Sequence, residues 1–262
     1  MPSSIPVPIP TPPPLTDGLR ALGLRRTAAE LADLLARATR HRWSPVQVLE
    51  ELVRTEHQER AQRSLERRLA RARLGTFKPM ADFDWAWPKR VDRAAVERVL
   101  TLEFLARTEN VILAAAQGLG KTMLAKNVAH QAVLQGTSVR FVTAADLLLD
   151  LGGQETSRAL ERRLRAYVKP RLVVIDELGY LTYDNRAADL LFQVINRRYE
   201  RGSLLVTTNL AFKDWGAVFP NATCVTALLD RLTHHAEILT LTGESYRRRE
   251  AEAAQQARRA KA

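Results

Sequence analysis

Residues 110–124 read NVILAAAQGLGKTML, and this stretch decides the fold. An apolar run, NVILA, leads into a turn that contains glycine and then into the helix-forming segment KTMLAKNVAHQAV. A strand that passes through such a loop into a helix binds phosphate, because the loop amides and the helix N-terminus together attract an anion. The stretch therefore predicts a nucleotide-binding α/β domain.

The end of this loop carries the residues expected to bind phosphate and magnesium. Gly120, Lys121 and Thr122 match the last three positions of the phosphate-loop pattern G-x-x-x-x-G-K-[ST]. Lys121 is predicted to contact the β- and γ-phosphates of ATP, and the Thr122 hydroxyl to bind Mg²⁺. The predicted nucleotide-binding residues are Gly118, Leu119, Gly120, Lys121, Thr122 and Met123.

The first glycine of the phosphate-loop pattern is absent, because position 115 is alanine. This position falls at the end of the predicted strand, farthest from the γ-phosphate. Only a positive φ or a very close approach of the backbone would require glycine there. We therefore expect Ala115 to weaken the match without abolishing ATP binding.

Two carboxylates end a second apolar run, RLVVIDE. Asp176 and Glu177 fall at the C-terminal end of a predicted strand, where α/β sheets present ligands. Asp176 is predicted to hold Mg²⁺, and Glu177 to orient and deprotonate the attacking water. The alternative is a polar strand end without catalysis, which the G-K-T upstream makes less favoured.

Further polar residues follow in LLVTTN and LLDRLTHH. Asn209 ends a predicted strand, so its amide would position the water or contact the γ-phosphate. Arg231 lies on a predicted helix and is either a surface charge or an arginine finger. His234 and His235 lie on the same predicted helix, where adjacent residues do not share a face. With no Cys or second His set at metal spacing, we do not expect a zinc site.

Short β-branched runs alternate with amphipathic helices from residue 91 onwards. The candidate strands are NVILA, SVRFVT, RLVVID, SLLVTT and EILTLT. Helical patterns separate them at about residues 122–135, 160–168 and 187–201. This alternation predicts a five-stranded parallel sheet covered by helices on both faces, and we assign it to residues 91–243.

The segments around this core differ in composition. Residues 1–16 form a Pro-rich tail that we expect to be disordered, and residues 17–74 are predicted to form a small all-helical domain. Glycine and proline interrupt residues 75–90, which we interpret as a linker. Residues 244–262 form a basic tail.

Capping boxes mark two helix starts in the N-terminal segment. The spacing of Thr27 and Glu30 predicts a helix over about residues 28–39. Ser44 and Gln47 have the same spacing, with Pro45 at the first helical position, and predict a helix that continues to about Ala72.

The chain is strongly basic, with a formal charge of +11 and a pI near 10.4. Most of the excess lies in residues 1–80 and 244–262, outside the predicted core. Such a distribution is typical of binding to a polyanion such as DNA, and the alternative is a set of solvated arginine-rich helices.

The single cysteine, Cys224, rules out an internal disulfide and agrees with a cytoplasmic protein. No run of eighteen apolar residues or signal peptide is evident, so no membrane contact is expected.

Several longer motifs resemble one family. The segments FDWAWPKRVDRAAVERV, RLVVIDELGYL, ADLLFQVINRRYE and TTNLAFKDWGAVFPNATCVTALLDRLTHHAEILTLTGESYR, together with the phosphate loop, look like the IstB-like ATPases. These are helper proteins of insertion-sequence transposition, similar to the DnaC helicase loaders and the DnaA initiator within the AAA+ class. The resemblance covers roughly residues 80–250.

The resemblance implies roles for the site residues. Lys121 and Thr122 would belong to Walker A, Asp176 and Glu177 to Walker B, and Asn209 would be sensor 1. Arg231 would be the finger that acts on a neighbouring subunit's ATP. Only some twenty residues follow LTLTG, so we expect no C-terminal lid domain and a site that neighbouring subunits close.

We therefore expect an AAA+ ATPase that forms a homo-oligomer on double-stranded DNA with ATP and regulates a separate transposase. One alternative is a replicative helicase loader. Another is a DNA-binding scaffold that never hydrolyses its ATP, which Glu177 argues against because a site that only binds needs no base. A small-molecule kinase explains neither the basic flanks nor the finger.

Overall fold

The computed structural model describes residues 14–87, 89–180, 182–220, 222–246, 248–250 and 255. Most of the predicted Pro-rich tail and of the basic C-terminal tail lies outside these residues. The chain divides into two compact units, Met1–Glu66 and Arg67–Ala262. Among the described helices, none is long and apolar enough to cross a bilayer.

The first unit is helical. It contains α1 (Leu15–Ala21), α2 (Arg25–Ala29), α3 (Leu31–His41) and the first part of α4 (Pro45–Ala72). The Ser44 capping box is confirmed, because the Ser44 amide donates to Gln47 Oε1 at 2.7 Å and the Gln47 amide donates to Ser44 Oγ at 3.3 Å. Helix α4 therefore begins at the predicted proline and reaches the predicted end.

The prediction of a capping box at Thr27 is wrong. Thr27 lies inside α2 and is buried, and its amide donates to Glu56 Oε1 at 2.8 Å. A carboxylate from α4 thus satisfies one of the free amides in the first turn of α2. The predicted helix over residues 28–39 is also interrupted at Glu30, so that α2 and α3 are separate.

The second unit is built on a five-stranded parallel sheet, as predicted. Its order is β2-β3-β4-β1-β5. The strands are β1 (Asn110–Ala115), β2 (Val139–Thr143), β3 (Leu172–Leu178), β4 (Ser203–Thr208) and β5 (Ala236–Leu241). The first four side chains of β3 are fully buried, because helices cover both faces of a parallel sheet.

Two helices precede the sheet, α5 (Arg93–Thr101) and α6 (Glu103–Ala106). The helices between the strands are α7 (Lys121–Leu134), α8 (Ala144–Gly152), α9 (Ser157–Val168), α10 (Asn185–Arg198) and α11 (Ala222–Thr233). Side chains of Thr143, Thr156 and Asp184 cap α8, α9 and α10. Helix α8 was not predicted from the sequence, although Thr143 and the segment AADLLLDLG mark its start and its apolar face.

The segment predicted as a linker packs against the second unit. The Asn127 side chain of α7 donates to the Lys78 carbonyl at 3.0 Å, and Arg90 pairs antiparallel with Thr242 just beyond β5. Phe83 between them is buried. Residues 76–87, 89 and 90 therefore form a wall of the second unit rather than a free connection.

Candidate nucleotide-binding site

The phosphate loop connects β1 to α7 at the C-terminal edge of the sheet. Gly118 and Gly120 have φ of 77° and 88°, which only glycine adopts without strain. A Cβ at Gly118 would also collide with the Ser245 side chain. Both glycines are thus required by backbone conformation, and Gly118 by the close approach of another segment as well.

Ala115 occupies the last position of β1. It is in register with Leu241 of β5, is 8% exposed and does not have a positive φ. An extended residue accommodates a methyl group without strain, so the fold tolerates alanine at this position. Its effect on ATP affinity stays a prediction.

The Lys121 ammonium lies over the loop. Its Nζ donates to the carbonyl oxygens of Ala115 at 2.7 Å and Ala116 at 2.8 Å. The side chain also lines the cavity beside the loop. Rotation of a flexible side chain would therefore carry the ammonium from the carbonyls to a bound phosphate.

Thr122 and Asp176 meet as the sequence predicts. Thr122 Oγ1 lies 3.1 and 2.9 Å from the two carboxylate oxygens of Asp176, which is 3% exposed. The Thr207 hydroxyl of β4 donates to Asp176 Oδ1 at 2.5 Å. Hydroxyl and carboxylate oxygens are the ligands that Mg²⁺ prefers, so this group fits that ion.

Thr207 was missed by the sequence analysis. The adjacent threonines before Asn209 were read as part of a strand, and no local pattern marks Thr207, because the carboxylate that its hydroxyl contacts lies on another strand.

The two carboxylates of β3, Asp176 and Glu177, lie in a β-bulge. The register with β4 shifts between Ile175 and Leu178, so Asp176 and Glu177 together oppose Thr207. Glu177 has a positive φ of 61°, and its amide donates to Thr207 Oγ1 at 2.9 Å. Asp176 is consequently buried, whereas the Glu177 side chain is exposed and lines the cavity.

Asn209 follows β4 and lines the same cavity. Its Oδ1 atom is buried and has no hydrogen-bond partner among the described residues. Buried polar atoms in native structures are almost always paired, so an unpaired acceptor here points to a water or ligand group.

The cavity beside the loop has a volume of about 260 Å³. Polar side chains line it, among them Lys121, Glu177 and Asn209, and so do the aromatic rings of Phe83, Trp87 and Tyr246. The sequence analysis did not identify these three residues, because two of them lie in the predicted linker and one in the predicted tail.

The described part of the C-terminal segment lies across the phosphate loop. The Tyr246 amide donates to the Gly118 carbonyl at 2.9 Å, and Trp87 Nε1 donates to the Glu244 carbonyl at 2.8 Å. The Arg249 guanidinium lies 4.4 Å from the Trp87 ring centroid. The chain thus provides a wall of its own site, and neighbours are not required for this part of the closure.

Arg231 lies outside this cavity. Its Nη1 donates to the Ala227 carbonyl at 3.0 Å, and its guanidinium lies 4.9 Å from the Phe192 ring. The Asn110 side chain donates to carbonyls at the end of α11, so Arg231 lies near the start of β1, opposite the phosphate loop. The structure therefore does not bring Arg231 together with the other predicted site residues of the same chain.

The histidine pair is not helical as predicted. Helix α11 ends at Thr233, and His234 and His235 lie in the turn before β5. Their ring centroids are 3.9 Å apart. The sequence analysis placed both histidines on a helix, where adjacent side chains point to different faces. Because α11 ends before them, that argument does not apply to His234 and His235.

Comparison with known proteins places the chain among ATP-binding proteins of insertion sequences. A family model described as IstB-like ATP binding protein matches residues 17–254. A protein of Geobacillus stearothermophilus, named for ATP binding in insertion sequence IS5376, is 38% identical over 81% of this chain and 85% of its own length. A similarly named IS21 protein of Pseudomonas aeruginosa is 40% identical over 73% of this chain and 72% of its own.

A solved structure shares the fold. The crystal structure of DnaI has a TM-score of 0.52 and 19% identity, and the match covers 66% of this chain and 90% of that one. At this identity the likeness concerns the fold alone. The predicted architecture is confirmed: a five-stranded parallel sheet flanked by helices, with the phosphate loop after β1 and a helical region before the sheet.

Proposed function

Because this chain belongs to the family of IstB-like ATP-binding proteins, we propose that it hydrolyses ATP, assembles on double-stranded DNA and regulates a partner transposase. One observation carries the hydrolysis part of this proposal. The bulge in β3 buries Asp176 beside Thr122 and directs Glu177 into the cavity, which provides a cation-binding carboxylate and a separate base.

ATP binds at the phosphate loop in this proposal. The loop amides and the N-terminus of α7 contact the phosphates, and Lys121 supplies a positive charge to the β- and γ-phosphates. Thr122 and Asp176 would hold Mg²⁺, which neutralises charge on the phosphates when bound.

Glu177 and Asn209 act on the attacking water. The Glu177 carboxylate accepts a proton from the water, and the unpaired Asn209 Oδ1 accepts a hydrogen bond that orients it. Thr207 holds both carboxylates in place, because its hydroxyl contacts Asp176 and accepts from the Glu177 amide. Thr207 is thus a positioning residue.

The aromatic side chains of the cavity receive the adenine base. Trp87 and Tyr246 line the cavity together with the phosphate loop, and purines stack favourably on such rings. Because Tyr246 also contacts the loop through its amide, base binding and phosphate binding share one wall.

Assembly on DNA is supported by charge and by the position of Arg231. Exposed arginines cover the later turns of α4, including Arg60, Arg67 and Arg71. Arg231 contacts no atom of its own cavity, so it would act on the ATP of a neighbouring subunit in the homo-oligomer. The basic residues of the C-terminal tail add to the predicted DNA contact, and most of them lie outside the described residues.

Two other functions share this fold. One alternative is a replicative helicase loader. The adjacent reading frame distinguishes it from a transposition protein, because a large transposase gene supports transposition and a replication gene supports helicase loading. A scaffold that binds ATP without hydrolysis is the other. The exposed Glu177 in the cavity argues against it, because binding alone needs no base.

Two variants test the proposed site. Lys121→Ala should abolish ATP binding, because it removes the point charge on the β- and γ-phosphates. Glu177→Gln should keep ATP bound but lower hydrolysis by at least about 10²-fold, since it preserves size and hydrogen bonding and removes the base. ATP-bound oligomers should then accumulate on DNA, and assembly size with ATP and Mg²⁺ is the measurement.

The control for this pair is Glu155→Gln, which changes an exposed glutamate outside the cavity and should behave as the parent. If Glu177→Gln assembles no better than Lys121→Ala, the base assignment is wrong. If the parent itself does not bind ATP, the loop with Ala115 is degenerate and the ATPase proposal fails.

A further inference from the structure

Glu200, His234 and His235 come together on the surface of the second unit. One ligand atom from each of the three side chains lies within 4.8 Å of the other two. Glu200 lies in the turn between α10 and β4, and the histidines lie in the turn between α11 and β5. The cluster therefore joins two connections that are separate in sequence.

The backbone conformation at Glu200 helps to place its side chain beside the histidines. Glu200 has a φ of 56°, a left-handed conformation that a residue with a side chain adopts at a cost. Such strain in a turn is a reason to look for a function of the side chain it places. Here the side chain is placed beside the histidine pair.

The donor set selects a class of cation. Two imidazoles and one carboxylate suit zinc and similar borderline ions, whereas Mg²⁺ prefers oxygen ligands throughout. Tetrahedral ligand atoms at about 2.0 Å from zinc lie roughly 3.3 Å apart. The three side chains are exposed, so small rotations would close the remaining distance.

Tyr199 supplies an outer partner for one histidine. Its hydroxyl lies 2.7 Å from His234 Nδ1. With Nδ1 engaged by this hydrogen bond, Nε2 is the nitrogen of His234 that is available to a cation. Histidine ligands of metals usually have such a partner on the second nitrogen, which fixes the orientation of the ring.

The cluster is distinct from the nucleotide site. The Asn110 amide at the start of β1 donates to the His235 carbonyl at 2.7 Å, whereas the phosphate loop begins after Ala115 at the other end of that strand. A strand of this length spans about 16 Å. The two sites also differ in donor chemistry, since Thr122 and Asp176 offer oxygen only.

We propose that Glu200, His234 and His235 bind one divalent cation of the zinc class, with water in the fourth position. The cation links the α10–β4 turn to the α11–β5 turn and so stabilises the end of α11. This inference does not depend on ATP hydrolysis or on DNA binding.

Zinc titration of the untagged full-length protein tests the proposal. The protein is stripped with EDTA, dialysed, and titrated with ZnCl₂ against a chromogenic chelator, with excess Mg²⁺ present to occupy oxygen-ligand sites. We expect one zinc per chain in the parent. Glu200→Gln and His235→Gln should each weaken binding at least about tenfold, and zinc should raise the melting temperature of the parent but not of these variants.

His57→Gln is the matched control, because His57 is an exposed histidine of the other unit and should leave zinc affinity unchanged. Melting curves without zinc show whether a variant is folded, and if His235→Gln is destabilised, Glu200→Gln decides the outcome. The proposal is overturned if the parent binds less than one zinc per chain. It is equally overturned if Glu200→Gln binds zinc as tightly as the parent, or if His57→Gln weakens binding as much as His235→Gln.

Discussion

At the scale of single residues, Arg231 is the proposed site residue that the fold of one chain does not explain. Its guanidinium packs on Phe192 and donates to the Ala227 carbonyl, away from the cavity that holds Lys121 and Glu177. A cation in this position contributes to ATP hydrolysis only if another subunit brings its own phosphates to it. The proposed role of Arg231 therefore depends on assembly of the homo-oligomer.

Arg231→Ala should leave ATP binding intact and lower ATP turnover by about 10³ to 10⁵, because a finger acts when charge develops on the γ-phosphate. Steady-state turnover and equilibrium ATP binding are the two measurements. Mixing this variant with Lys121→Ala should restore part of the activity, since an intact Lys121 site can then meet an intact Arg231. Arg98→Ala, whose guanidinium pairs with Glu237, is the control. Unchanged turnover in Arg231→Ala would show that Arg231 is a surface charge without a role in hydrolysis.

At the scale of elements, the described residues between Thr76 and Arg90 and those just after β5 form the wall of the cavity together. Trp87 connects them, because its indole donates to Glu244 and its ring contacts Tyr246 at 6.2 Å and Arg249 at 4.4 Å. Arg249 also pairs with Asp84 at 3.3 Å. The proposed nucleotide cavity therefore includes two segments that the sequence analysis placed outside the core.

Trp87→Ala should weaken ATP binding about tenfold or more, because stacking of one base on an aromatic ring is worth about 1 to 3 kcal/mol. Binding of inorganic triphosphate should change little, since it lacks a base and uses the loop. Trp43→Ala is the control, because Trp43 belongs to the other unit and does not line the cavity. Equal loss of ATP and triphosphate would mean that Trp87 only supports the loop.

A second element-scale feature is the ion pair that joins α8 to α9. Arg163 Nε lies 2.6 Å from an oxygen of Asp150, and the Tyr167 hydroxyl donates to the same carboxylate. Burial alone would raise the pKa of Asp150, but the hydrogen bonds from Arg163 and Tyr167, and the charges of Arg163 and Arg140, hold the pKa below its ordinary value. The carboxylate therefore stabilises the folded state only while it is ionised.

Asp150→Asn should lower the free energy of unfolding by about 1 to 3 kcal/mol at pH 7. A depressed pKa contributes stability above the unfolded value near 4, and this is lost as the pH falls through the folded value. The difference from the parent should therefore shrink below about pH 4. Urea unfolding at several pH values measures it, with the exposed Asp189→Asn as control. A difference that stays constant with pH would exclude ionisation as its source.

At the scale of the whole molecule, the positive charge lies before and after a nearly neutral core in the sequence. The chain carries 40 Lys and Arg against 29 Asp and Glu, and the excess lies mostly in the N-terminal 80 residues and the C-terminal tail. Arginines of this kind contact phosphate and carry little sequence information. The proposed DNA binding is therefore electrostatic, without strong base readout.

Raising salt from roughly 50 to 200 mM should weaken DNA binding by about 10³-fold or more if about six or more phosphates are neutralised. Replacing Arg67 and Arg71 with glutamine should lower the slope of log affinity against log salt by about two. Arg93→Gln, whose guanidinium pairs with Glu97, is the control. Fluorescence anisotropy on duplex DNA gives these slopes, and a shallow slope for the parent would contradict the proposal.

The sequence by itself determined the sheet and most of the nucleotide site. Alternation of β-branched runs with helical patterns is local, and it identified the five strands to within one or two residues at most ends. The proposed roles of Lys121, Thr122 and Asp176 follow from adjacency to a strand end, because parallel strands bring their C-terminal ends to one edge. These features depend on short stretches of chain, so pattern alone specifies them.

The tertiary structure decided what depends on distant segments. Thr207, Trp87 and Tyr246 join the site only when the chain has folded. The same holds for Arg197 and Arg198, which are adjacent in sequence. Arg197 pairs with Glu161 at the surface, whereas Arg198 is 1% exposed, donates to five backbone carbonyls, and has a pKa lowered by burial to about 10. No local pattern separates two such arginines, because burial is set by which segments surround a side chain.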